Sequence, residues 1–258
     1  MSDDLLVSSA DGVTTLTFNR PERKNALTVA MYERAILAMQ MAATDPLVRV
    51  LMFTGTGDSF TSGNDVSDFM NTPPTGDNSP VFQFLLALAN FEKPIMVAVN
   101  GNAVGIGVTM LQHVDIVYVA DTAKLKMPFV ALGLSAEGGS TYLLTRMAGH
   151  AKASELLMFG EAFDADIAIE VGLASTKLPA SELMTYANAR ARVLANERPL
   201  GSLLTTKRLM RAPVKEPTLK ALYEEAVEFT RHLGTDEARE AFTAFFEKRK
   251  PDFAQFYK

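Results

Sequence analysis

The sequence predicts an α/β fold whose alternating core gives way to an all-helical C-terminal region. Strand-like and helix-like stretches alternate from Gly12 to Glu170, and from Ser181 onward the pattern is helical almost without break. Two loops rich in glycine and other small residues, at 100–107 and 133–140, lie close to the most apolar segments. With 258 residues, 48% apolar and 21% charged, the chain has material for a full core, expected over residues 1–195, and a helical appendage over 196–258.

Taken in order, Gly12 to Phe18 alternates apolar and polar side chains as a half-buried strand does, and residues 19–25 form a polar loop. A helix follows, capped by Thr28, with apolar positions at Met31, Ile36 and Met39 and a stop at Asp45-Pro46. Val48 to Phe53 reads as the next strand. The loop at 55–65 is dense in turn formers and leads into a short helix at Val66 to Met70. Asn71 to Pro80, with three prolines and a glycine, is expected to be a mobile excursion covering a pocket, followed by an apolar helix from Val81 to Phe91. Strand Ile95 to Val99, the glycine loop, a helix from Gly107 to His113 and strand Asp115 to Ala120 make a βαβ-like unit. Further helices are expected up to Leu144, at Ala151 to Met158, and at Asp164 to Glu170, the last ended by Gly172. The C-terminal helices are punctuated by Pro199, Pro213 and Pro217, and the final one, Asp236 to Lys250, ends in a basic cluster suited to the helix dipole.

Composition narrows the function. A net charge of −5 gives no general footprint for nucleic acid or an anionic membrane. With no cysteine there are neither disulfides nor thiolate metal ligands, and the start Met-Ser-Asp-Asp-Leu-Leu lacks a signal peptide's basic region, so a cytoplasmic setting is expected. Residues 95–120 are apolar but interrupted by Asn100, Asn102, Gln112, His113 and Asp115, which fits buried core rather than a bilayer span. Gly105-Ile106-Gly107 opens like a dinucleotide fingerprint but lacks the third glycine, and no Gly-Lys-Ser/Thr follows any glycine run. The three histidines, His113, His150 and His232, are too dispersed to suggest a metal set, and no Gly-Xaa-Ser-Xaa-Gly elbow marks a serine nucleophile.

Glu137 stands out as the lone acid in Gly133-Leu134-Ser135-Ala136-Glu137-Gly138-Gly139-Ser140. Flanking glycines admit a ligand close to the backbone, and a carboxyl among small apolar neighbours has its pKa raised by desolvation, which suits a proton-shuttling base. Spacing alone is equally compatible with an acid stationed before a helix to interact with its N-terminus.

Ser62-Gly63-Asn64-Asp65, Asn100-Gly101-Asn102-Ala103-Val104-Gly105-Ile106-Gly107 and Leu132-Gly133 with Gly138-Gly139-Ser140 resemble, in order, three signature blocks of the crotonase, or enoyl-CoA hydratase/isomerase, superfamily. Asn19-Arg20-Pro21 with Asn25-Ala26-Leu27, and Phe246-Glu247-Lys248-Arg249-Lys250, are similar to its opening and closing blocks. The resemblance implies a spiral of ββα units with the acyl-CoA site in the core domain, a helical C-terminal region that builds a homotrimer or hexamer, and an acyl-CoA substrate with no separate cofactor and no metal. It implies that the backbone N–H groups of Asn64 and Ile106 hold the thioester oxygen. It suggests Lys24 near the nucleotide of CoA together with Ser62, and Phe245 and Lys248 reaching a neighbouring subunit's ligand.

Family hydratases use two glutamates, and the matching positions here are Thr109 and Phe129. A phenyl ring transfers no proton and a threonine hydroxyl is a poor base, so hydration by that route is not expected. Ser135-Ala136-Glu137-Gly138-Gly139-Ser140 is similar to the single-glutamate block of peroxisomal-type Δ3,Δ2-enoyl-CoA isomerases. The expected reaction is conversion of a 3-enoyl-CoA to the trans-2-enoyl-CoA, with Glu137 moving the proton. Another crotonase reaction, or acyl-CoA binding without catalysis, are the alternatives.

Overall fold

Each of the middle units of the chain sends one strand into each of two sheets, and that alternation builds the site. The computed structural model describes residues 4–71 and 76–257, side chains at 69–71 excepted. The elements run β1 (Leu5–Ala10), β2 (Val13–Phe18), α1 (Val29–Thr44), β3 (Val50–Gly55), β4 (Ser59–Thr61), α2 (Val66–Asn71), α3 (Pro80–Asn90), β5 (Ile95–Val99), β6 (Asn102–Val104) and α4 (Ile106–Thr109). They continue with β7 (Ile116–Ala120), β8 (Lys124–Lys126), α5 (Ser140–Ala148), α6 (His150–Phe159), β9 (Phe163–Asp164), α7 (Ala165–Glu170), β10 (Thr176–Leu178), α8 (Ala180–Glu197), α9 (Leu200–Leu233) and α10 (Asp236–Glu247).

The six-stranded sheet has the order β1-β2-β3-β5-β7-β10, antiparallel only between β1 and β2. The second sheet, β4-β6-β8-β9, collects the short strands that follow β3, β5 and β7, with β9 added antiparallel at its edge. Strand β5 is buried along its whole length, as a parallel strand covered on both faces must be, and it reads as an unbroken apolar run. Helix α8 lies against β2, β3, β5 and β7 and buries Leu183, Ala187, Ala191 and Ala195, a stripe at near-fourfold spacing whose small side chains permit close approach. The interior phenylalanines Phe18, Phe53, Phe60 and Phe84 interlock with ring centroids 5.4–6.2 Å apart, each contributing about 2–3 kcal/mol by burial.

The expected strands of residues 12–55 and 95–120 and the helix after Thr28 are present, and Thr28 caps α1 by accepting the Met31 N–H. Several expectations need correction. The helix placed at 107–113 is one α-turn, α4, followed by a 3-10 turn at Met110–His113. The helix expected to end at Leu144 starts at Ser140 and runs to Ala148. Pro213 and Pro217 do not break the C-terminal helices but lie inside the 34-residue α9, and Pro199 alone of the three marks a boundary. The final helix ends at Glu247, with Lys248 left-handed at its cap, so Lys248-Arg249-Lys250 lie beyond it and Arg249 instead pairs with Glu240 and Glu247. Of the excursion expected at 71–80, residues 72–75 lie outside the described residues. Its described part is a 3-10 turn at Gly76–Asn78 leading into α3. No helix among the described residues is long and apolar enough to cross a membrane.

Candidate active site

The first wall of the site is built by the chain around Asn64. Asn25, fully buried and left-handed at φ 54°, donates from Nδ2 to the carbonyls of Thr56 and Ser59, while the Thr61 hydroxyl donates to the Asn25 carbonyl. Leu27 then forms a parallel bridge with Asn64: its N–H donates to the Gly63 carbonyl at 2.8 Å and its carbonyl accepts the Asp65 N–H at 2.9 Å. Because the Gly63 carbonyl faces Leu27, the trans peptide turns the Asn64 N–H to the opposite side. Gly63 makes this possible at φ 89°, where a Cβ would sit 2.9 Å from the Val104 carbonyl oxygen. Arg20 fixes the segment by bonding Asp65 at 3.0 Å and the Ala26 carbonyl at 2.8 Å. The Asn64 side chain accepts the Tyr32 hydroxyl at 2.5 Å, and burial, reinforced by the charge of Glu137, keeps that phenol protonated well above its ordinary range.

The second wall is α4. Gly105, at φ 56°, donates its N–H to Lys126, and Ile106 opens the helix, so its N–H has no carbonyl one turn back to accept it. Three residues on, Thr109 is fully buried and donates its hydroxyl to Glu137 Oε1. Thus one short turn carries Ile106 at its start and the contact to Glu137 at its end.

Glu137 sits on a turn made by two left-handed glycines, Gly138 at φ 75° and Gly139 at φ 72°. Any side chain at Gly138 would drive a Cβ to 2.8 Å from Thr109 Cβ. Burial pushes the Glu137 carboxyl up to about 7, the Thr109 hydrogen bond opposes that rise, and the charge of Glu225 adds to it. The turn is pinned from several sides. The Ser140 hydroxyl donates to the Glu137 carbonyl at 2.5 Å and accepts from Gln112 at 3.1 Å. His113, which burial lowers to about 4, is a neutral imidazole donating Nε2–H to the Gly138 carbonyl at 2.7 Å.

Glu137 and Asn64 line one open cleft together with Gly138, Gly76, Ser79 and Thr230. Its remaining walls are apolar: Val81, Phe82 and Leu85 from α3, and Leu222, Ala226 and Phe229 from α9. Among the described lining residues Glu137 is the one ionisable side chain. Phe129 is buried and packs edge-on against Phe229 at 6.3 Å, so it lies behind the cleft wall. Among the described residues no cluster of His, Cys, Asp or Glu has the make-up to hold a metal ion.

The other sequence candidates lie apart from this cleft wall. Ile106 is 2% exposed and does not line it. Lys24 is exposed and left-handed, and its carbonyl accepts the Ser62 N–H at 2.9 Å, so these two are neighbours on the rim segment leading to Asn64. Phe245 and Lys248 are exposed at the end of α10, with Phe245 packed on Phe246. Sequence reasoning missed Tyr32, the cleft-lining roles of α3 and α9, and Glu225. The signal for Glu225 was available, because it interrupts the apolar spacing Leu222, Ala226, Phe229 of one helix face.

A family model for enoyl-CoA hydratase/isomerase matches residues 8–256. The chain is 37% identical over 256 residues to "Enoyl-CoA delta isomerase 2" of Rattus norvegicus, covering 97% of this chain and 65% of the relative, so it spans slightly less than two thirds of that protein. It is 32% identical to "2,3-dehydroadipyl-CoA hydratase" of Escherichia coli (strain K12), covering 97% of this chain and 98% of the relative. A crystal structure of an enoyl-CoA hydratase/isomerase from Pseudoalteromonas atlantica T6c matches with a TM-score of 0.92 at 38% identity, covering 97% of this chain and 99% of that one. The fold is accordingly crotonase-like, a mixed α/β core with parallel sheets and a helical C-terminal region, and the chain belongs to the enoyl-CoA hydratase/isomerase family.

Proposed function

We propose that this protein isomerises 3-enoyl-CoA thioesters to trans-2-enoyl-CoA with one carboxylate as the proton carrier. The observation that supports this most strongly is that Glu137 is the single ionisable side chain on the described cleft wall, held near neutrality by burial. Ionised Glu137 takes a proton from C2, the electron pair delocalises into the thioester to give a dienolate, and the same carboxyl returns the proton at C4. A pKa near the working pH lets one group serve as base and then acid. The N–H groups of Asn64 and Ile106 are assigned to the thioester oxygen, where the negative charge collects. No water is added and no cofactor is consumed.

Hydration needs a second group to activate water. Thr109 is committed to Glu137 and Phe129 offers no proton acceptor, so the arrangement favours isomerisation. The acyl part is inferred to be uncharged and aliphatic, because helix α3 carries no charged residue and the α9 positions lining the cleft are Leu222, Ala226, Phe229 and Thr230. A distal carboxylate would be desolvated there without a cation to meet it. The test is a spectrophotometric comparison of 3-hexenoyl-CoA, crotonyl-CoA and a dicarboxylic 3-enoyl-CoA. Turnover of the first well above the other two supports the proposal, and hydration of crotonyl-CoA without 3-hexenoyl-CoA turnover refutes it.

A further inference from the structure

We propose that Glu225 is a positioning residue for Glu137, clamping from α9 the turn on which the proton-carrying carboxyl is mounted. Glu225 is 6% exposed and does not line the cleft, so it acts through its neighbour. Its carboxylate accepts the Gly139 N–H at 2.6 Å, the Thr141 N–H at 2.8 Å and the Thr141 hydroxyl at 2.6 Å. The N–H groups at the start of α5 have no acceptor within their own helix, and two successive left-handed glycines give this turn more backbone freedom to lose than any other pair of residues would. One side chain, 84 to 86 residues away in sequence, therefore fixes the segment immediately after Glu137.

The other holders of the turn, His113, Ser140 and Gln112, bring no charge. The titratable and charged groups around the two carboxyls are Tyr32 of α1, which stays protonated, His113 of the 3-10 turn after α4, which stays neutral, and Arg211 of α9, bonded to the His113 carbonyl. Glu225 is held above the ordinary carboxylate range by burial, while its hydrogen bonds to the Gly139–Thr141 segment favour the anion. In its ionised form it adds to the rise that burial imposes on Glu137, while its hydrogen bonds set the geometry, which couples alignment and protonation in one residue.

This inference rests on Glu137 being the proton carrier, so the experiment separates the two claims. The full-length wild type, Glu225→Gln and Glu225→Asp are compared in two ways. The Glu137 carboxyl is titrated in ligand-free protein by infrared difference spectroscopy, with Glu137→Gln as the blank, and kcat and KM are measured with 3-hexenoyl-CoA. Glu225→Gln is expected to lower the Glu137 midpoint by at least about half a unit, as loss of a nearby like charge requires. It is also expected to lower kcat roughly tenfold with KM nearly unchanged, as misalignment of a proton carrier does. Glu225→Asp keeps the charge and is expected to retain the wild-type midpoint. An unchanged midpoint in Glu225→Gln, or a loss confined to KM, overturns the proposal. If Glu225→Gln does not fold, Thr141→Val removes one donor and keeps both charges: a lower kcat at constant KM supports the clamp, and wild-type kcat refutes it. Absence of wild-type turnover would overturn the isomerase reading, and the infrared midpoint would still decide on Glu225.

Discussion

The two halves of helix α9 bury charge in opposite ways. In the first half, Lys207 and Arg211 converge on Asp115: Lys207 reaches it at 2.7 Å and the Lys93 carbonyl at 2.7 Å, and Arg211 reaches it at 3.3 Å. Arg211 also donates to the carbonyls of Leu88, Ala89 and His113, and Asp115 accepts the Ile95 N–H at 2.7 Å. Opposite charges and carbonyls satisfy one another, and the cluster ties α9 to the ends of α3 and β5. In the second half, Glu225 is met by backbone and hydroxyl donors, with no cation among its described partners, and its charge acts on another carboxyl, Glu137. The charges of the first half are compensated, whereas the carboxyl of Glu137 is raised to about 7, chiefly by burial, with the charge of Glu225 adding to the rise.

Mutations sharpen that contrast, beginning with the largest effect. Glu137→Gln should lower kcat for 3-hexenoyl-CoA by about 10²–10⁴-fold, the usual contribution of a positioned proton-transfer group, while CoA-ester binding measured by calorimetry persists. Asp115→Ala leaves buried Lys207 and half-buried Arg211 without their carboxylate and should cost about 1.5–3 kcal/mol of stability in denaturant unfolding. It should leave the pH midpoint of Glu137 untouched, and a shifted midpoint would erase the division between the two halves.

Thr109→Val removes the hydrogen bond that opposes the rise in the Glu137 pKa. The pH–rate profile should move to higher pH, opposite in sign to the shift expected for Glu225→Gln, and activity at pH 7 should drop by up to about tenfold.

A smaller effect falls on stability. Glu137 is raised from the ordinary 4.5 to about 7, so the folded state binds more protons than the unfolded chain between those values. The stability contribution of this group is complete below about 4.5 and is lost as pH rises through about 7. Glu137→Gln should therefore gain on the wild type between pH 5 and pH 8 by about 2–3 kcal/mol, measured by urea unfolding at both values. A constant difference would contradict the raised pKa.

Much of the framework was legible because alternation and helical spacing are local. Strands β2, β3, β5 and β7 and helices α1 and α3 follow from their own residues, and Thr28 announced its cap. The second sheet was not legible, since Ser59–Thr61, Asn102–Val104 and Lys124–Lys126 are too short to display a period and lie among turn-forming residues. Strand β1 was hidden for another reason: beyond Leu5 its residues are exposed, so no apolar alternation marks this edge. Pro213 and Pro217 suggested breaks that α9 does not make. At the site, Glu137 was singled out by its glycine neighbours. Thr109 was marked only as standing where a family hydratase has a glutamate, not as the partner of Glu137 28 residues on, and Glu225 was not marked at all, being brought to the same turn only by the packing of α9. The acid that serves the start of α5 is Glu225, which bonds its N–H groups, while the Glu137 carboxyl bonds Thr109 and lines the cleft, the arrangement on which the proposed base role rests.

The most direct measurement is the pH dependence of kcat/KM for 3-hexenoyl-CoA with the wild-type protein. A single rising limb with its midpoint near pH 7 is the predicted result, since only the ionised form of Glu137 removes the C2 proton. A limb at the ordinary carboxylate value of 4.5, or no limb between pH 5 and 8, would contradict the account.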